Sequence, residues 1–219
     1  MQGKGEKQDM NSIQKLIEIF GHFPGIGPRQ ARRFVYYLLT RNNNVVEELS
    51  KHISSLKKDV ASCADCRRFF EKRHDKTELC NICTDQNRDR GLLMIVQRDI
   101  DLESVEKNGG FNGIYFVLGG SVPILEKEPE KRIRVKELTE FITNKFNPPS
   151  QSYGEAKEII LGVNFNPEGE NTADFVKKII TPLLKPATKI SMLGKGLSTG
   201  TELEYTDPET LKNALKNRG

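Results

Sequence analysis

Four cysteines set as two Cys-x-x-Cys pairs, Cys63-Ala64-Asp65-Cys66 and Cys80-Asn81-Ile82-Cys83, are the strongest chemical signal in the chain. Each pair turns back tightly enough to hold one edge of a tetrahedron, so the four thiolates together suit a zinc ion. Thirteen residues separate the pairs, slightly fewer than the usual template. Four protein ligands leave no open coordination position, which makes the expected metal structural. The rival readings of the same spacing are a redox dithiol or an iron–sulfur cluster. His74 lies between the pairs and is read as a surface loop residue, since a fifth ligand is not needed.

A second group is Phe23-Pro24-Gly25-Ile26-Gly27-Pro28 followed by Arg29, Arg32 and Arg33. Gly25 and Gly27 are both free to take positive φ and to let main-chain N–H groups approach a phosphate, and Pro28 suits the first turn of a new helix. Arg29 and Arg33, one turn apart, would extend such contacts along a polyanion without reading its bases. The flanking helices and this turn resemble a helix-hairpin-helix DNA-binding motif. A helical turn packed only for structure is the alternative.

The third group lies at two strand ends. Leu92–Val96 runs into Gln97, and Glu158–Val163 runs into Asn164-Phe165-Asn166-Pro167-Glu168-Gly169-Glu170. The layout resembles a Toprim domain, in which a glutamate after the first strand and an Asp-x-Asp-x-x-Gly motif after a later one hold Mg²⁺. Here Gln97 stands at the glutamate position, and Asn164 and Asn166 at the aspartate positions. A neutral amide accepts no proton and holds a hard cation weakly, so Mg²⁺ binding is expected to be weak or absent and no catalytic residue is assigned. Glu168, Glu170, Asp101 and Glu106 remain as acids for weak metal binding or for a partner surface. A solvated loop above the sheet is the plain alternative.

The elements that must position these groups follow from periodicity. Ser12 can cap a helix carrying Ile13, Leu16, Ile17 and Phe20 on one face, ending at Gly21. Ala31, Phe34, Val35 and Leu38 share a face of the next helix, which Asn42-Asn43-Asn44 ends. Val45, Leu49, Ile53, Leu56 and Val60 predict a third helix. From Gly91 on, short apolar runs at Leu92–Val96, Gly113–Leu118, Glu158–Val163 and Ile190–Leu193 alternate with helical segments. Those segments include Ser104–Lys107, Val135–Phe146, Thr172–Leu184 and Asp207–Leu215. That alternation predicts an α/β unit with a buried, largely parallel sheet.

Composition narrows the function classes. The 219 residues include 29% charged and 36% hydrophobic side chains and no tryptophan, and no apolar run approaches the 18 or so residues that span a bilayer. The first ten residues lack the apolar stretch of a secretory signal, and four cysteines are too few for a disulfide framework, so a cytoplasmic location is expected. The net charge of +4 is uneven: residues 1–90 hold 17 basic against 12 acidic side chains, and the remainder 17 against 18. A basic first part fits polyanion binding, although solvated surface charge gives the same balance.

The expected fold is α+β and multi-modular. Residues 1–11 form a mobile extension, 12–60 a helix-hairpin-helix region, 61–90 a four-cysteine zinc finger, 91–186 a Toprim domain, and 187–219 a C-terminal αβ tail for oligomerisation. Together with Tyr115-Phe116-Val117-Leu118-Gly119-Gly120, Gly194-Lys195-Gly196-Leu197 and Leu203-Glu204-Tyr205, this order resembles the RecR family of bacterial recombination mediators over nearly the whole chain. Gln97 stands where the family usually keeps glutamate, and Ser198 and Thr199 depart from a usual proline-containing stretch. The resemblance implies DNA repair at single-stranded gaps with RecO and RecF, helping RecA replace single-strand-binding protein, near the nucleoid. It also implies a ring-forming homo-oligomer, a dimer or tetramer, with the hairpin turns facing DNA. Under it Arg29 and Arg33, with Arg32 added, and the backbone at Gly25 and Gly27 contact DNA, and Glu168 and Glu170 contact RecO. The competing classes are a Mg-dependent Toprim nuclease or primase-like enzyme using Glu168, Glu170 and Asp101, and a pure protein scaffold.

Overall fold

In a computed structural model of the chain, residues 11–72, 77–146, 156–194, 203–206 and 208–216 are described. The expectations for residues 1–10, for His74 and for residues 195–202 fall outside them. The chain divides into two compact units, Met1–Asp59 and Val60–Gly219.

The first unit is helical: α1 (Ser12–Gly21), α2 (Pro28–Leu39) and α3 (Asn43–Asp59). The cap of α1 is Asn11 rather than Ser12, its side chain accepting the Gln14 N–H at 2.9 Å. Asn42 likewise accepts the Val45 N–H at 3.1 Å, so the Asn42-Asn43-Asn44 run opens α3 instead of closing α2. Asparagine oxygens satisfy orphan first-turn donors, which is why an Asn run reads as a start as well as a stop. Ala31 and Val35 of α2 are buried, and Phe20 meets Phe23 and Phe34 edge-on at 5.7 and 5.9 Å. Neither α1 nor α3 buries any residue.

The second unit opens with a hairpin of β1 (Val60–Ser62) and β2 (Phe69–Glu71), antiparallel with Ala61 opposite Phe70. Val60 therefore leaves the helix in which periodicity put it. A short helix α4 (Asn81–Thr84) follows. Then come β3 (Asp89–Val96), α5 (Asp99–Asn108), β4 (Gly113–Val117) and α6 (Val135–Phe141), the last continued as a π-turn over Ile142–Phe146. β5 (Glu158–Gly162), α7 (Pro167–Ile180), β6 (Lys189–Met192) and α8 (Pro208–Lys216) complete the described elements.

The sheet order is β4-β3-β5-β6 with every pairing parallel. Its fourth strand, β6, falls within 187–219, the segment expected to form the tail. Strand alternation sorts the core into two layers. Leu93, Ile95, Ile114, Phe116, Ile159 and Leu161 pack with Leu138 of α6, Ile142 of the π-turn, and Val176 and Ile180 of α7. Met94, Val96, Tyr115 and Val117 point the other way, with Leu102 of α5 and the four cysteines. Because both faces are covered, the strands read as continuous apolar runs. Among the described residues no helix is long and apolar enough to cross a membrane.

Candidate metal centre and nucleic-acid interface

The four cysteines converge. Cys63, Cys66, Cys80 and Cys83 are all buried, and their sulfurs lie within 4.8 Å of one another. Cys66 and Cys80 Sγ stand 3.6 Å apart, near the edge of about 3.8 Å that Zn–S bonds of 2.3 Å impose on a tetrahedron. The first pair sits in a turn after β1, where Arg67 N–H donates to Cys63 O at 3.1 Å and Arg67 takes φ +63°. The second pair brackets the start of α4, and the Cys80 N–H donates to Cys63 Sγ at 3.3 Å. Hydrogen bonding from Cys66, then from Cys80 and Cys83, pulls the Cys63 thiol below its ordinary pKa, and the contact with Cys63 pushes Cys66 and Cys83 up. Four thiolates this close repel one another unless a cation neutralises them, so the donor set, its spacing and its burial fit a metal ion.

The cysteine module is tied to the sheet it covers. Val117 N–H, at the end of β4, donates to Cys66 O at 2.8 Å. Arg134 Nη1 donates to Arg67 O at 2.8 Å and Val117 O at 3.1 Å, while Asp99, opening α5, accepts the Phe69 N–H at 2.7 Å. No local sequence pattern announces these ties, because they join residues 17 to 67 positions apart.

The carboxyl ends of β3 and β5 meet at the point where the strand order reverses, the place where open α/β sheets bind ligands. Here that crevice is bridged by neutral groups. Gln97 is 2% exposed, and its Oε1 accepts the Asn164 N–H at 3.1 Å. Asn166 Oδ1 caps α7 by accepting the Gly169 N–H at 2.8 Å. Gly169 permits a close approach, since a Cβ there would lie 2.0 Å from Asn164 O. The stretch read as a loop through Glu170 is therefore helical from Pro167 onward. An asparagine followed by proline is the cap-and-N1 signature that would have revealed it.

Glu168 and Glu170 stand exposed in the first turn of α7, where the helix dipole favours acids, and Ser121 Oγ donates to Glu168. Thr172 Oγ1 accepts the Val122 N–H at 2.9 Å and donates to Glu168 O at 2.7 Å, holding the 121–123 segment against α7. The other two acids serve elsewhere. Asp101 accepts the Arg98 N–H at 2.9 Å as part of a capping box on α5. Glu106 is held by Arg88 at 2.6 Å and by the Tyr115 hydroxyl at 2.6 Å, so it is a strut rather than a ligand beside Glu168. Among the described residues, the four cysteines are the one group of three or more ligand-type side chains close enough to share an ion.

In the helical unit, the Ile26 N–H donates to Phe23 O at 3.0 Å to close the turn between α1 and α2. Of its two glycines only Gly25 takes positive φ, +76°, whereas Gly27 has φ −82° and precedes α2. A Cβ on Gly27 would meet nothing within 4 Å, so the conformation of this chain does not require glycine there, although its bareness lets another molecule approach the backbone. No side chain caps α2, leaving the first-turn N–H groups of Arg29 and Gln30 without an intrahelical partner. Arg29, Arg32 and Arg33 are exposed, and α2 contains no acidic residue. Among the described residues none of the three arginines forms a salt bridge.

Comparison with known proteins follows this division. Residues 13–57 match the family model described as RecR, helix-hairpin-helix, residues 91–194 the Toprim domain, and residues 196–218 RecR, C-terminal. A protein of Lactobacillus johnsonii named Recombination protein RecR is 34% identical over 206 residues, covering 94% of this chain and 96% of its own length. Proteins of the same name from Dehalococcoides mccartyi and Tropheryma whipplei are 34% and 32% identical, each over 94% of this chain and over 93% and 96% of their own lengths. With three consecutive domains matched and relatives aligned almost end to end, the chain belongs to the RecR family of recombination proteins.

Proposed function

We propose that this chain is a non-catalytic DNA-binding mediator of recombinational repair, acting with RecO and RecF at single-stranded gaps to promote RecA loading. The observation that carries this reading is α2: a glycine-preceded, uncapped helix start followed by three exposed arginines, with no acid in the helix and no salt-bridge partner among the described residues. Arg29, Arg32 and Arg33 neutralise phosphates, and the backbone at Gly25 and Gly27 gives them room to approach. Such contacts are independent of base sequence, as a protein that works at any gap requires.

The remaining parts support the same reading. Cys63, Cys66, Cys80 and Cys83 would hold zinc as a structural ion, with every coordination position taken by protein. Gln97, Asn164 and Asn166 offer amides where a Toprim enzyme needs carboxylates, and those of Gln97 and Asn166 are already hydrogen-bonded, which favours a mediator over a nuclease or primase. Glu168 and Glu170 form an acidic partner surface for RecO. Oligomerisation is supported by apolar side chains left uncovered in the helical unit, among them Val45, Leu49, Ile53 and Leu56 of a 17-residue α3 that buries nothing. A ring-forming homo-oligomer, a dimer or tetramer, with a tail of residues 187–219 contributing, would cover that face and multiply the basic patch into a phosphate track. A protein acting on bacterial DNA would work in the cytoplasm, at the nucleoid.

The test is incubation with labelled gapped duplex and Mg²⁺, read on native and denaturing gels in parallel. A shifted complex with strands of unchanged length is expected. Arg29→Ala with Arg33→Ala should lower affinity and reduce the salt slope by about 2. Strand cleavage or extension abolished by Glu168→Ala would refute the reading, as would arginine variants that bind with unaltered salt dependence.

A further inference from the structure

We propose that the outer face of α2 grips unpaired bases as well as phosphates, with Tyr36 as a stacking platform that biases the site toward single-stranded DNA. The inference rests on the DNA-binding reading above and adds the ligand's strandedness to it. Arg29, Arg33 and Tyr36 follow at i, i+4 and i+7, and Arg32 precedes Tyr36 by one turn, so all four project from one side of the helix. The opposite side is spent on the core through Ala31 and Val35.

Tyr36 is 54% exposed, so much of its ring faces solvent. Its aromatic neighbours are engaged: the Arg41 guanidinium lies 4.1 Å over the Tyr37 ring, and Phe23 packs edge-on against Phe20. Among the described residues, Tyr36 has no ring or cation contact. A free π-face beside a run of guanidinium groups is the pairing that single strands favour, because phosphates meet the arginines while a base stacks on the ring. In a duplex the bases are already stacked on one another, so the ring adds nothing there. Charge complementarity selects the occupant: three cations and no anion on α2 suit a polyanion better than an apolar partner surface.

The test measures binding of the full chain to labelled oligo(dT), to an abasic strand of equal length and to a blunt duplex, across a salt series. Tyr36→Leu should weaken oligo(dT) binding by between about 5- and 100-fold with the salt slope unchanged, since stacking releases no counterions. Duplex and abasic-strand affinities should stay as they are, and Tyr36→Phe should keep the oligo(dT) affinity. Equal binding of oligo(dT) by the parent and Tyr36→Leu overturns the proposal. If the arginine variants still lose affinity in that case, the DNA-binding reading itself stands. Loss of binding to all three ligands together with dissociation in light scattering also overturns it, and would assign Tyr36 to an interface between copies of this chain.

Discussion

Replacing Thr172 by valine tests whether one buried hydroxyl holds the 121–123 segment onto α7, and with it the setting of Glu168. The change is nearly isosteric, and Thr172 is 0% exposed, so shape and solvent exposure stay almost constant. Two hydrogen bonds disappear, the 2.9 Å bond from Val122 N–H and the 2.7 Å bond to Glu168 O. Glu168 O is a helix carbonyl and keeps its main-chain donor, whereas the Val122 N–H is left buried with no acceptor. An orphaned buried donor costs about 1–3 kcal/mol, and removing the buried hydroxyl returns part of that, so a net loss of about 1–2 kcal/mol is expected. For a chain of this size that corresponds to a drop in Tm of roughly 2–8 °C. Thr172→Ser loses a buried methyl, worth about 1 kcal/mol, but keeps both hydrogen bonds. Stability alone therefore does not separate the two variants, and amide exchange does. The Val122 amide should exchange faster in Thr172→Val and remain protected in Thr172→Ser. Unchanged Val122 protection in the valine variant, with stability within about 0.3 kcal/mol of the parent, would refute this account of how the segment is held.

Three further outcomes follow from particular contacts. Gly169→Ala places a methyl 2.0 Å from Asn164 O, so it should cost more than about 3 kcal/mol in urea unfolding and disturb the β5–α7 connection; tolerance of alanine would contradict the close approach. Hydrogen bonding to Arg88, and then to Tyr115, lowers the Glu106 pKa, so its stabilisation is present above the unfolded value of about 4.3 and fades as pH falls through the folded one. Glu106→Gln should accordingly flatten the acid limb of a stability–pH curve, and an acid limb identical to the parent's would remove Glu106 from that role. Metal analysis should find one zinc per chain, and its chelation should release four reactive thiols and speed amide exchange at Val117, whose N–H is bonded to Cys66 O. Protection at Val117 that survives complete zinc removal would show that the cysteine turn stands without metal.

Much of the molecule was legible in the chain itself, and for local reasons. Cys-x-x-Cys spacing brings two thiols to one edge of a tetrahedron whatever the rest of the fold does, and a Gly-Pro start followed by helical periodicity sets the side on which Arg29 and Arg33 stand. Continuous apolar runs at Leu93–Val96 and Ile114–Val117 announce strands buried on both faces. Boundaries were less legible wherever one residue type serves two purposes. Asn42 reads equally as a stop and a cap, Val60 fits helix or strand, and Pro167 opens α7 in a stretch that resembled a loop.

What the tertiary structure alone decided is which distant groups meet. The Gln97 amide is ordinary in sequence, and it becomes a bridge because parallel pairing of β3 with β5 brings Asn164 within 3.1 Å of it. Glu106 and Glu168 carry the same carboxylate, yet one is consumed by Arg88 and Tyr115 while the other stands exposed at a helix start. Sheet topology likewise puts the four sulfurs against the layer that holds Met94, Val96 and Tyr115. Residue type and short-range spacing determine which chemistry a side chain can offer. Hydrogen-bond partners tens of residues away, brought near only when the chain folds, determine whether that chemistry is free to act or is spent on holding the structure together.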